Sequence, residues 1–247
     1  MTTAILSALP EEQHGLREQL EDAKHVRHAG RDFHTGRWHG KPVVLALSRI
    51  GKVAAATTAT ALIERFGVQR IVFTGVAGGL HPDVQVGDTV VATEFLQHDI
   101  DASPLFPRHE VPLYGRSRFA ADDELVGLLS IAASAILTGL FDAATRAHFK
   151  LDGMRIHKGL LVSGDRFVSA AQEARALQSS FPDALAVDME GAAVAQVCYD
   201  YAIPFAAVRN ISDRADDTAH VDFPAYLTQV AGKQARALIS TLLPLLD

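Results

Sequence analysis

Glu190 and Asp213 are the first residues of this sequence to suggest chemistry. Each follows a short apolar run with the character of a buried strand. Residues 185–187 lead into Asp188, Met189 and Glu190, and residues 204–208 lead into Arg209, Ser212 and Asp213. Between them, residues 191–201 read as a helix of small residues, so the unit is strand, helix, strand with charge at each strand's carboxyl end. In open α/β sheets ligands sit in the crevice beyond those ends, which predicts that Glu190 and Asp213 face one pocket.

Other strand-like runs end in equally suggestive residues. Residues 2–8 precede Glu12, residues 70–74 run into Gly75, Val76, Ala77, Gly78 and Gly79, and residues 158–163 precede Asp165 and Phe167. If these strands lie parallel in one sheet, all five segments share an edge. No serine–histidine pair, cysteine nucleophile or metal-ligand spacing accompanies them: His98, Asp99 and Asp101 lack the His-x-His or His-x-x-x-His pattern, so no metal is expected. What remains is acid/base work on a neutral polar substrate. One carboxylate would activate water and another protonate a leaving group, as in glycosidic hydrolysis. The acid needs the raised pKa that burial provides, while the base stays ionised. Phe167 would suit a flat leaving group.

Plainer readings stand beside these. Pro10 fits the first position of a helix, where Glu11 and Glu12 would only complement the dipole. The glycine run has neither dinucleotide nor Walker spacing, and a tight turn explains it as well as a binding loop does.

The elements that must position these groups read as one α/β domain over residues 1–247. Apolar content of 48% with 21% charge is globular. A net charge of −6 without a basic run argues against nucleic acid and anionic membranes. The single cysteine, Cys198, suits a reducing cytoplasm, and no signal peptide is evident at the N-terminus. Residues 25–40 read as two antiparallel strands, 43–48 as a strand, 53–66 as an alanine-rich helix, 87–95 as a strand and 97–118 as a long loop. Residues 120–148 read as helical, and their uncharged part, 125–141, as a helix buried in the core or in a subunit interface rather than a membrane span. Residues 170–179 form a further helix. Asp222 is expected to cap the last one, with Pro224 opening it.

Several of these segments together resemble a known family. Ala8, Leu9, Pro10, Glu11 and Glu12, Ile50 to Val53, Thr74 to Gly79, Ser163 to Asp165 with Phe167, the pair Met189 and Glu190, and Val208 to Asp213 are similar to the methylthioadenosine/S-adenosylhomocysteine nucleosidases of the nucleoside phosphorylase superfamily. The resemblance implies a central mixed, partly closed β-sheet flanked by helices, a nucleoside substrate, no cofactor and a homodimer. It implies Glu12 as the base for the attacking water, Glu190 and Met189 on the ribose hydroxyls, and Arg209 placing Glu190 and the water. It implies Asp213, aided by Ser212, as the donor to N7 of adenine. Phe167 would stack on the base, with Val168, Ala77 and Gly78 lining its site by their backbone. Leu9, Ile50 and Phe223 would form an apolar 5′ pocket with Ala8 nearby, joined by Leu105 from a second subunit.

Three departures stand out. Val76 occupies a position the family usually gives to serine, Arg49 one it often gives to glycine, and residues 132–157 are longer than usual. Phe73 lies where phosphorylase relatives hold phosphate with arginine, which favours water as the acceptor. Arg49 keeps phosphorolysis open, and a futalosine-type nucleosidase and a non-catalytic nucleoside binder are the further alternatives.

Overall fold

The computed structural model describes residues 1–215 and 219–247, with the backbone alone over 219–222. The strands are β1 (Thr3–Ser7), β2 (Glu21–His28), β3 (Arg31–Trp38), β4 (Lys41–Leu47), β5 (Arg70–Gly79), β6 (Thr89–Gln97), β7 (Arg118–Ala120), β8 (Ile156–Ser163), β9 (Ala184–Asp188) and β10 (Phe205–Asp213). The helices are α1 (Lys52–Phe66), α2 (Asp123–Ile136), α3 (Ala143–Phe149), α4 (Ala171–Ser180), α5 (Gly191–Tyr201), α6 (Ala219–Tyr226) and α7 (Gly232–Leu242).

All strands join one sheet, which is mixed rather than parallel. β1 lies parallel to β4 and β5, and β5 parallel to β10. β6, β8 and β9 are parallel to one another and run the opposite way, β6 pairing antiparallel with β10. β5 and β9 close the ring antiparallel through only Gly78 with Val187 and Gly79 with Ala186. The five segments therefore do not share an edge by running parallel. They converge because strands from opposite directions meet at their carboxyl ends.

Side-chain alternation sorts the core into two layers. Ala4, Leu6, Ile71 and Phe73 pack under α1 and α5 with Ala55, Ala59, Leu62, Ala195 and Cys198. Ile5, Val72, Ala206 and Val208 face α2 and α7 with Leu125, Leu129, Leu238 and Leu242. The apolar stretch at 125–141 is thus partly the buried face of α2. Among the described residues no helix is long and apolar enough to cross a membrane.

Four local expectations are corrected. No α-helix starts at Pro10. Residues 9–16 form turns, a short 3-10 helix follows at Arg17–Gln19, and Gly15 at φ 79° is left-handed, which breaks a right-handed helix. The run Gly75 to Gly79 is no loop but the continuation of β5, because β10 pairs with it from Arg209 opposite Gly75 to Asp213 opposite Gly78. The helix expected over 120–148 is broken after Ile136, with Gly139 at φ 82° and a new start at α3, where Asp142 accepts the Thr145 N–H at 2.7 Å. The last helical region begins at Ala219, so Pro224 lies inside α6; the side chain of the expected cap, Asp222, lies outside the described residues.

Candidate functional site

A cavity of about 310 Å³ opens where the carboxyl ends of β5, β9 and β10 meet. The turn after β1 brings Ala8, Leu9 and Glu12, and the entry to α1 brings Ile50. β5 brings Val76, Ala77 and Gly78, and the loop after β8 brings Phe167 and Val168. Met189 and Glu190 follow β9, Ser212 and Asp213 end β10, and Phe223 comes from α6. Phe167 and Phe223 meet edge to face, 5.6 Å between ring centres, as an aromatic wall.

Glu12 is buried, and its carboxylate is held by backbone alone. Oε2 accepts the N–H groups of Ala8 and Leu9 at 2.7 and 2.9 Å, and Oε1 accepts that of Val76 at 2.9 Å. These donors make burial of the group tolerable. Burial still raises its pKa against the pull of those donors and of the Arg209 charge. The plain reading of Glu12 as a dipole complement is set aside, since no α-helix starts there.

The glycines of β5 make room for side chains of this chain itself. A Cβ on Gly75 would lie 2.8 Å from Glu12 Oε1, and one on Gly78 would lie 3.1 Å from Asp213 Oδ1. Asp213 receives the Ser212 hydroxyl on Oδ2 at 2.7 Å and the Ala215 N–H on Oδ1 at 2.8 Å.

Glu190 is free to enter the cavity because Asp188 does its neighbour's capping. Asp188 Oδ1 accepts the N–H groups of Glu190 and Gly191 at the start of α5, a position that favours a carboxylate. It also accepts the Ser163 hydroxyl, whose oxygen takes the Ala192 N–H at 2.8 Å. Glu190 Oε1 accepts the Gly51 N–H at 2.9 Å. Burial and the adjacent Asp188 charge push its pKa up to about 8.

A family model described as the phosphorylase superfamily matches residues 2–244. The 5′-methylthioadenosine/S-adenosylhomocysteine nucleosidase of Bacillus subtilis is 36% identical over 232 residues, 94% of this chain and 94% of its own. The chain belongs to that nucleosidase family. Among solved structures, the family member from Neisseria meningitidis in complex with methylthio-immucillin-A superposes with a TM-score of 0.87 at 34% identity, covering 99% of each chain. The native futalosine hydrolase of Helicobacter pylori superposes with a TM-score of 0.84 at 34% identity, covering 98% of this chain and 97% of that one.

Two of the residues that the resemblance implies do not line the cavity of this chain. The Arg209 guanidinium is buried behind it, pairing with Asp188 Oδ2 at 2.8 and 3.0 Å, donating to the Phe73 carbonyl at 3.0 Å and covering the Phe73 ring at 4.0 Å. From there its charge still pulls the Glu12 and Glu190 carboxyls down. Leu105 is 85% exposed on the loop after β6 and does not line the cavity of its own chain. Arg49, at φ 63°, donates to the Gly30 carbonyl and also lies off the cavity. Sequence reasoning missed Asp188, Val187 and Arg166 in the lining. Asp188 carried a signal, a carboxylate three positions before a helix interior, which is capping chemistry.

Proposed function

We propose that this chain hydrolyses the N-glycosidic bond of adenine nucleosides, 5′-methylthioadenosine and S-adenosylhomocysteine foremost and 5′-deoxyadenosine besides, to adenine and the free sugar. The observation that carries the reading is that Glu12 and Asp213, far apart in sequence, are both buried on one cavity. Asp213, with Ser212 on its other oxygen, gives a proton to N7 of the base and turns it into a neutral leaving group. Glu12 then takes a proton from the water that meets the electron-poor sugar carbon. Glu190 and Met189 hold the ribose hydroxyls, Phe167 stacks on the base, and Ala77, Gly78 and Val168 offer backbone to it. Leu9, Ile50 and Phe223 make the 5′ end apolar, close to Ala8, and Val76 lies beside Glu12 near the ribose and the water. Arg209 acts on Glu190 through Asp188. No cofactor is needed for these steps.

Water is favoured over phosphate because Phe73 stands where phosphorylases use arginine, while Arg49 is engaged elsewhere. The likeness to a futalosine hydrolase supports a second reading, a nucleosidase for a larger 5′ group. We further propose a cytoplasmic homodimer, in which exposed Leu105 and Leu113 of one copy complete the cavity of the other.

One assay tests the reaction. The protein is incubated with methylthioadenosine, S-adenosylhomocysteine, adenosine, inosine and futalosine, with and without phosphate, and free base and sugar are measured. Adenine released from the first two without phosphate is the expected result. Release only with phosphate would make it a phosphorylase, and cleavage of futalosine alone would move the 5′ preference. Sedimentation gives the oligomeric state.

A further inference from the structure

The start of α1, the loop after β6 and the loop after β8 meet beside the cavity in a closed ring of three bonds. The Lys52 ammonium lies 2.6 Å from Asp99 Oδ1. Asp99 Oδ2 accepts the Asp165 N–H at 2.8 Å. Asp165 Oδ1 accepts the Lys52 N–H at 2.7 Å. The Lys52 and Asp99 side chains are only 18% and 30% exposed, so their pairing is less screened than that of a surface pair. Partial burial pushes the Asp99 carboxyl up, but the Lys52 ammonium and the Asp165 N–H outweigh it and hold the group below its ordinary value. The approach requires a bare backbone at Gly164, where a Cβ would strike the His98 ring and lie 3.1 Å from Asp99 Cγ.

None of the three ring residues lines the cavity, yet two of the corners, Lys52 and Asp165, adjoin residues that line it or hold one that does, and Asp99 joins those two corners. Gly51, directly before Lys52, donates its N–H to Glu190. Ile50 precedes it in the lining. Phe167 and Val168 follow shortly after Asp165. Glu12, by contrast, is held by Ala8, Leu9 and Val76, which share no bond with the ring.

We propose that Asp99 is a positioning residue of this site: by holding the Lys52 ammonium and the Asp165 N–H together, it fixes Gly51, and through it Glu190, against the wall that carries Phe167. The inference rests on the nucleosidase reading and adds to it a residue that touches no substrate. Because the ring serves the groups that grip sugar and base, its loss is felt in binding before chemistry.

The test compares Asp99→Asn, Lys52→Met, the double variant and Asp99→Glu with the unaltered protein. Steady-state kinetics with methylthioadenosine are paired with amide hydrogen exchange at Gly51, Lys52 and Asp165 without substrate. Each single variant is expected to raise KM about tenfold with kcat changed less than about threefold, and the double to be no worse than either single. Asp99→Glu, which keeps the charge, should recover part of the loss, and exchange at the three amides should quicken about tenfold in Asp99→Asn. Unchanged KM with unchanged exchange overturns the proposal, as do additive single effects or a loss confined to kcat. A protein that cleaves none of the nucleosides overturns the nucleosidase reading instead, and the exchange rates then decide the positioning role alone.

Discussion

Glu12 Oε1 accepts the backbone N–H of Val76 at 2.9 Å, tying the first turn of the chain to the carboxyl half of β5. With Oε2 taken by Ala8 and Leu9, both oxygens face N–H donors. An amide cannot satisfy that arrangement, since its NH2 must meet a donor. Glu12→Gln should therefore lose about 10²–10⁴-fold in kcat as the base disappears. It should also lose about 1–3 kcal/mol of stability from the donor left unpaired. Kinetics and urea unfolding on the same preparation check both.

Asp213→Asn separates an enzyme from a binder. Turnover should fall by about 10²–10⁴-fold, the range for loss of a general acid. Calorimetry should still find adenine bound, because Phe167 and the β5 backbone are untouched. A variant with undiminished turnover would remove the assigned proton donor.

Gly75→Ala places a Cβ 2.8 Å from Glu12 Oε1. The expected cost is about 1–3 kcal/mol from overpacking, with a kcat loss resembling that of Glu12→Gln. Gly127→Ala is the contrast: it sits in α2 with nothing within 4 Å of the added Cβ and should stabilise by about 0.5–1 kcal/mol through helix propensity. Thermal melts of the two variants should shift in opposite directions.

Asp188→Asn removes the charge opposite a buried guanidinium. Arg209, 1% exposed, would keep a charge with no carboxylate bonded to it, a situation that costs about 3–5 kcal/mol. A denaturation midpoint near that of the unaltered protein would show that Phe73 and the carbonyls suffice to hold Arg209.

Glu190 predicts a pH dependence. Its folded pKa, about 8, lies above the ordinary 4.5. The folded protein therefore binds more protons than the unfolded chain between those values, and stability falls as pH rises through the interval. Glu190→Gln lacks this term. Its Tm relative to the unaltered protein should climb steadily from pH 5 to about pH 8 and level off above, although ribose binding is lost.

What was legible in the sequence were the groups that end strands. Glu190, Asp213, Phe167 and Glu12 each follow an apolar run, and such runs show in a one-dimensional pattern. What was not legible depended on partners far along the chain. Pro10 carries the local signal of a helix start, but Glu12 is claimed by Val76. Gly75 to Gly79 look like a turn until β10 is laid beside them. Asp188 was visible next to Glu190, yet its role comes from Arg209 and Ser163. Arg209 looks like a pocket residue by position, and the Asp188 carboxylate draws it behind the wall. The Lys52, Asp99 and Asp165 ring joins three loops, and no periodicity records which loops meet.

The closure of the sheet has a consequence for how this protein is made. β5 leaves the ribosome early, but the strand that covers its edge, β10, emerges only after some 125 further residues, Gly79 to Phe205. Until then the nascent chain carries Glu12 without Asp213 and an open strand edge of the kind that recruits other strands. The growing polypeptide thus keeps that edge open until β10 arrives, and Asp213 joins Glu12 on the cavity only with the same strand.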